Sequence, residues 1–70
     1  MSLKMKFGAE ICRARIRLGL TQSQLAKDVK ITSRSIQYIE SGAWLPSSIT
    51  TLRLMNRLHL SPETFADELD

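Results

Sequence analysis

The sequence predicts an all-α fold, a compact bundle of about five short helices, and three features carry that expectation. Apolar residues recur at spacings of three and four rather than two, so the β-branched residues fall on helical stripes. Hydroxyl side chains stand ready to open successive segments at Thr21, Thr32, Ser47 and Ser61, while Gly19, Gly42 and Pro46 interrupt them. The third is length. A chain of 70 residues supplies one core, near the lower limit for a domain without disulfide or metal staples. No internal repeat, low-complexity tract or flexible linker divides it.

The first helix is expected from about Phe7 to Leu18, where Phe7, Ile11, Ala14 and Leu18 make one apolar stripe. Gly19 offers a left-handed stop. Residues 1–6, "MSLKMK", read as an N-terminal arm, native or left by cloning, ahead of one domain over residues 7–70. Thr21 opens the second helix with Gln24 three residues on, a capping-box spacing, and Leu25, Ala26 and Val29 form its inner face. Lys30-Ile31-Thr32 breaks that helix, with Ile31 plugging the core. Thr32 then caps a third helix, Ser33 to Glu40, whose inner residues are Ile36 and Ile39.

Ser41-Gly42 ends the third helix, and "AWLP" is a loop because Pro46 disfavours helix at Leu45. Ser47 caps a fourth helix to about Leu58, with Leu54, Met55 and Leu58 as core candidates; Ile49 and Leu52 fall toward another side. Ser61 and Pro62 favour a fifth helix to about Leu69, with Phe65 and Leu69 inward.

Composition excludes several function classes. The chain is too short to wall a closed catalytic cleft, and no nucleophile, base and orienting group converge in it, so no enzyme is expected. Cys12 has no partner for an internal disulfide, which suits a reducing compartment. His59 lies far from it, so no metal-ligand spacing exists, and no metal, cofactor or small-molecule ligand is expected. No run of about 18 apolar residues suggests a membrane span, and "MSLKMKFG" has no signal-peptide core. The net charge is +3, unevenly spread: residues 1–40 carry eight Lys/Arg against three Asp/Glu, and residues 41–70 two against four. Such a gradient suits one face turned toward a polyanion.

The stretch "TQSQLAKDVKITSRSIQYIESG" therefore holds two short amphipathic segments separated by three residues. A helix, a tight turn and a second helix make a helix-turn-helix, whose second helix presents polar side chains to base edges in the DNA major groove. Ile36 and Ile39 supply its inner face; Thr32, Ser33, Arg34, Gln37 and Tyr38 supply an outer face rich in hydrogen-bonding groups.

With the upstream "RIRLGL" and downstream Pro46, this stretch resembles the XRE-type helix-turn-helix family, which includes the lambdoid-phage Cro and repressor DNA-binding domains. The shared pattern falls on Arg15, Gly19-Leu20-Thr21-Gln22, Leu25-Ala26, Ile36-Gln37-Tyr38-Ile39-Glu40, Gly42 and Pro46. It extends over nearly the whole chain, from about Phe7 to Leu69. The implied fold is lambda-repressor-like. One departure is Lys30, where the family usually has glycine in a left-handed turn; either the turn relaxes or Lys30 tolerates strain of roughly 1–2 kcal/mol.

The resemblance implies roles. Gln22 matches a glutamine that binds a DNA phosphate and braces the recognition helix. Ser33, Arg34 and Tyr38 match base-reading positions, with Thr32 beside them for a phosphate or base methyl. The Arg34 fork suits guanine O6 and N7, or else holds a phosphate. Gln37, one turn on, suits adenine or phosphate. Tyr38 packs on sugar or a thymine methyl, or simply covers the helix edge. Backbone amides from Ser41 through Gly42 to Ala43 are placed for a phosphate.

Arg15 and Glu40 match a largely buried, structural salt bridge between the first and third helices. Lys4 and Lys6 in the arm, with Arg13 and Arg17, add electrostatic attraction, although a solvated face is the simpler reading for the two arginines. Trp44 and Leu45 are core cover or a partner contact. Because the family usually binds as a two-fold dimer, Trp44, Ile49, Leu52 and Phe65 are the candidates for self-association.

The expected function is sequence-specific binding of double-stranded DNA by a small cytoplasmic regulator of prokaryotic or phage type. A repressor acting as a homodimer on a pseudo-palindrome fits best, since the chain has no room for a ligand-sensing domain. The rival is a protein-interaction module on the same fold, antitoxin-like or an adaptor, in which Trp44 would matter and Arg34 would not.

Overall fold

The computed structural model describes residues 2–66, arranged as α1 (Leu3–Arg17), α2 (Gln22–Val29), α3 (Ser33–Glu40), α4 (Ser48–Leu58) and a single 3-10 turn, Pro62–Phe65. Among the described residues there is no strand. A hydroxyl opens every α-helix: Ser2, Thr21, Thr32 and Ser47 each accept the amide three residues on, from Met5, Gln24, Ser35 and Thr50. The Thr21 cap is reciprocal, since its own amide donates to Gln24 Oε1 at 2.8 Å. Satisfying the free amides of the first turn this way is worth roughly 1 kcal/mol per cap.

All four α-helices also end alike. One residue takes a left-handed conformation, Gly19, Lys30, Gly42 or His59, with φ of 72°, 65°, 79° and 59°. The next residue's amide then returns to a carbonyl five residues back: Leu20 to Arg15 (3.0 Å), Ile31 to Ala26 (3.0 Å), Ala43 to Tyr38 (3.1 Å) and Leu60 to Met55 (2.9 Å). This is the Schellman arrangement, which satisfies carbonyls the helix leaves over. Leu20, Ile31 and Leu60, just past three of these stops, pack against the core. Each stop thus turns the chain and supplies an apolar plug. At α2 the turn does not relax; Lys30 adopts φ 65°, ψ 42°.

One core joins the elements. Phe7, Ile11 and Ala14 of α1 meet Leu25, Ala26 and Val29 of α2, Ile36 and Ile39 of α3, and Leu54 and Leu58 of α4. α3 packs on both α1 and α2, and α4 lies against α2 and α1. Phe65 closes one end, its ring 5.4 Å from that of Phe7. Gly8 lets α1 come unusually near α3: a Cβ there would stand 2.2 Å from the Ile39 carbonyl oxygen.

Three expectations need correction. α1 begins at Leu3, not Phe7, because Leu3 extends the apolar stripe by one turn and packs against the core. Lys4 and Lys6 therefore ride on a helix rather than a free arm. Leu18 is 39% exposed, since α1 ends at Arg17 and the turn takes Leu18 off the stripe. The fifth element opens as a 3-10 turn, Pro62–Phe65, and Ala66 is already α-helical; Leu69 lies outside the described residues.

Candidate nucleic-acid interface

α3 has two opposite faces. At 3.6 residues per turn, Ser33, Gln37, Arg34 and Tyr38 follow one another round an arc of about 140°. Arg34, Gln37 and Tyr38 are exposed and Ser33 is half-buried. Ile36 and Ile39 point the other way and are fully buried. Arg34 enters no ion pair among the described residues, where Lys6, Arg13, Arg15 and Arg57 are the paired bases.

The C-terminal end of α3 is locked by Glu40. Arg15 Nε donates to Glu40 Oε2 at 2.6 Å and Arg15 Nη2 to Oε1 at 3.1 Å, with the two side chains only 13% and 7% exposed. A third donor of the same fork, Nη1, reaches the Leu20 carbonyl at 2.8 Å. Gln22 Nε2 completes the set with a 3.1 Å bond to Glu40 Oε1. Hydrogen bonding to Glu40 holds the Arg15 guanidinium charged more tightly than usual, against the partial burial that opposes charge. One carboxylate therefore ties α1, the start of α2 and the end of α3, while Arg15 also holds the turn after α1.

The structure thus brings together most of the residues that the sequence singled out. Gln22 is half-buried at the first position of α2, where it is oriented by Glu40. Thr32 is exposed, but its hydroxyl is engaged, accepting from the Ser35 amide at 3.1 Å and lying 2.9 Å from Ser35 Oγ. Lys6 and Arg13 both pair with Glu10; Lys4 and Arg17 are exposed.

Two expectations change here. The amides of Ser41, Gly42 and Ala43 are not open to a phosphate, because they bond to the carbonyls of Gln37, Ile39 and Tyr38 in the stop of α3. Gly42 has its own structural reason: φ is +79°, and an added Cβ would meet Met5 Cγ at 3.1 Å. Phe65, placed with the self-association candidates, is 4% exposed and belongs to the core through Phe7, leaving Trp44, Ile49 and Leu52 as the exposed ones.

Sequence reasoning missed Gly8, the identity of Glu40 as the residue through which Gln22 braces α3, and Ser35. A glycine inside an otherwise good helix is the usual trace of a close backbone approach, so Gly8 was legible in principle. The other two depend on where α2 and the loop after α3 come to lie, and leave no local trace.

Residues 6–67 match the family model described as a helix-turn-helix domain. Among curated proteins, none matches the chain. Among solved structures, the restriction-modification controller protein C.AhdI from Aeromonas hydrophila is similar, with a TM-score of 0.77 at 27% identity over 86% of this chain and 91% of that one. The chain belongs to the helix-turn-helix domain family, among its XRE-type DNA-binding transcription regulators.

Proposed function

We propose that the protein is a sequence-specific double-stranded DNA-binding repressor that works as a two-fold dimer on a pseudo-palindromic operator. The observation that supports this most is the pairing of an outward, hydrogen-bonding face on α3 with an inner face and C-terminal end that are both held fast. A major groove about 12 Å wide admits one helix, and a helix held from behind presents its side chains in one register. Similarity to a restriction-modification controller supports the regulatory side of the reading.

In this reading Arg34 forks onto guanine O6 and N7. Ser33 and Gln37 bond neighbouring base edges or a phosphate, and Tyr38 lies at the margin. Gln22 and the free amides at the start of α2 receive a phosphate, with Thr32 alongside. Glu40, by holding the Gln22 amide, couples the phosphate contact to the position of α3. Exposed Ile49 and Leu52 on α4 (62% and 66%) supply an apolar face for a second copy.

Selection from a pool of random duplexes, followed by sequencing of what is retained, tests the reading directly. The retained pool should carry two inverted half-sites about one helical turn, ~34 Å, apart. Enrichment of a single asymmetric site would remove the dimer; no enrichment at all would remove sequence-specific DNA binding.

A further inference from the structure

α1 carries two apolar stripes, and the core uses one of them. Phe7, Ile11 and Ala14 share the buried side. Met5, Ala9, Cys12 and Ile16 recur at spacings of four, three and four on the other side, about 160° round the helix. This second stripe runs about 16 Å along the axis, or three turns. Its ends are large and exposed, Met5 at 53% and Ile16 at 62%, while Ale9's place in the middle is small: Ala9 and Cys12 are both half-buried. Folding does not call for this pattern, since the outward face of a surface helix is normally polar. Beside the stripe stand Arg13 and Arg17, four residues apart, a like-charge spacing that weakens a helix. Glu10, the acid on this flank, is 13% exposed and paired with Lys6 and Arg13, whereas Arg13 is 66% exposed. Arg17 enters no ion pair among the described residues. The flank therefore presents positive charge.

We propose that this outer face of α1 docks an acidic amphipathic helix of a partner protein. The proposal goes beyond the DNA-binding reading, because none of these residues lies on the outer arc of α3. Shape supports it first. Small Ala9 and Cys12 between bulky Met5 and Ile16 leave a shallow notch, which one apolar ridge of a neighbouring helix fills. Charge supports it second, since carboxylates flanking that ridge would meet Arg13 and Arg17. A second copy of the chain suits the face poorly: α1 carries five bases, Lys4, Lys6, Arg13, Arg15 and Arg17, against the single acid Glu10, so two such faces would repel. A lipid surface takes up a continuous apolar face, and here large apolar side chains stand only at the two ends.

The probe is a synthetic helix of about 20 residues, long enough to hold its fold, with a leucine ridge flanked by glutamates. Its control carries lysines in place of the glutamates. Titrated into the intact 15N-labelled protein, the glutamate peptide should shift the amides of Met5, Ala9, Cys12 and Ile16 and leave those of Arg34 and Gln37 still. The lysine peptide should shift neither group. Ile16→Ser should weaken peptide binding about tenfold, with the denaturation midpoint and the affinity for a selected duplex unchanged. Joint Arg13→Glu and Arg17→Glu substitution should turn the preference toward the lysine peptide. Shifts centred on Arg34 and Gln37 would make the peptide a mimic of DNA charge and overturn the proposal, as would no shift with either peptide or equal binding of both. Binding to vesicles of anionic phosphatidylglycerol in place of the peptide would assign the face to a membrane. Dissociation of a wild-type dimer by Ile16→Ser would assign it to a second copy. Either result would also overturn the proposal, and the DNA reading would stand or fall separately on the selected duplex.

Discussion

The two ends of α3 differ in how they are held. At its C-terminal end Glu40 accepts from Arg15 and Gln22, Gly42 leaves room for Met5 where a Cβ would crowd it, and Gly8 lets the α1 backbone come against the Ile39 carbonyl. At its N-terminal end a three-residue turn passes through Lys30 in a left-handed conformation, and Thr32 caps a first turn on which Arg34 is exposed and Ser33 and Ser35 are half-buried. One end is anchored by tertiary contacts and the other is shaped by local chemistry. A recognition helix needs this asymmetry, because a reading surface must be open where it meets the ligand and rigid somewhere else. The comparison also separates stability from binding: changes at the anchored end should unfold the domain, and changes at the open end should leave it folded.

The largest effect should come from Glu40→Ala. It strands the Arg15 guanidinium in a half-buried site and releases Gln22, so chemical denaturation should show a loss of about 4 kcal/mol. A loss below about 1 kcal/mol would mean the pair behaves like a surface bridge. Gly8→Ala should follow, at about 3 kcal/mol, because its Cβ must push α1 off the last turn of α3. A melting temperature unchanged by this substitution would show that the two helices separate at little cost, and the anchored end would lose its meaning.

At the open end the sign of the effects should change. Arg34→Ala should leave the denaturation midpoint alone, yet weaken binding to a selected duplex by about 2 kcal/mol and relax preference at one base position. Equal weakening on every sequence, with a salt slope reduced by about one, would move Arg34 from a base to a phosphate. The smallest effect is the most pointed. Lys30→Gly should raise stability by about 1 kcal/mol by relieving a left-handed side chain, measured by urea denaturation. Destabilisation instead would show that the Lys30 side chain itself holds the turn.

Much of the fold was legible because it is written in short spacings. Thr32 before "SRSIQYIE" marks the start of α3, Gly42 marks its end, and Ile36 and Ile39 set its inner face. The candidate interface was legible for the same reason, since an exposed polar arc is the complement of a buried apolar one. Leu18 shows where this fails. It sits at the right spacing, but α1 stops one residue before it, and periodicity does not report where a helix stops. Leu3 fails in the opposite sense, standing at the right spacing before Phe7 yet in a stretch that reads as an arm. Ala43 failed for a further reason: an amide near a loop was read as free, whereas the stop of α3 had already used it.

By itself the sequence determined the helical class, the hydroxyl caps, the sites of the breaks and which residues of α3 turn inward. These depend on neighbours within about four positions along a helix, so the pattern and its cause lie in the same stretch of chain. Only the tertiary structure decided that Glu40 is shared by Arg15 and Gln22, that Phe65 closes the core on Phe7, and that Tyr38 and Trp44 face one cleft. Those pairings join residues far apart along the chain or on either side of a turn. Their geometry follows from how the helices pack, and packing is a property of all the buried side chains together.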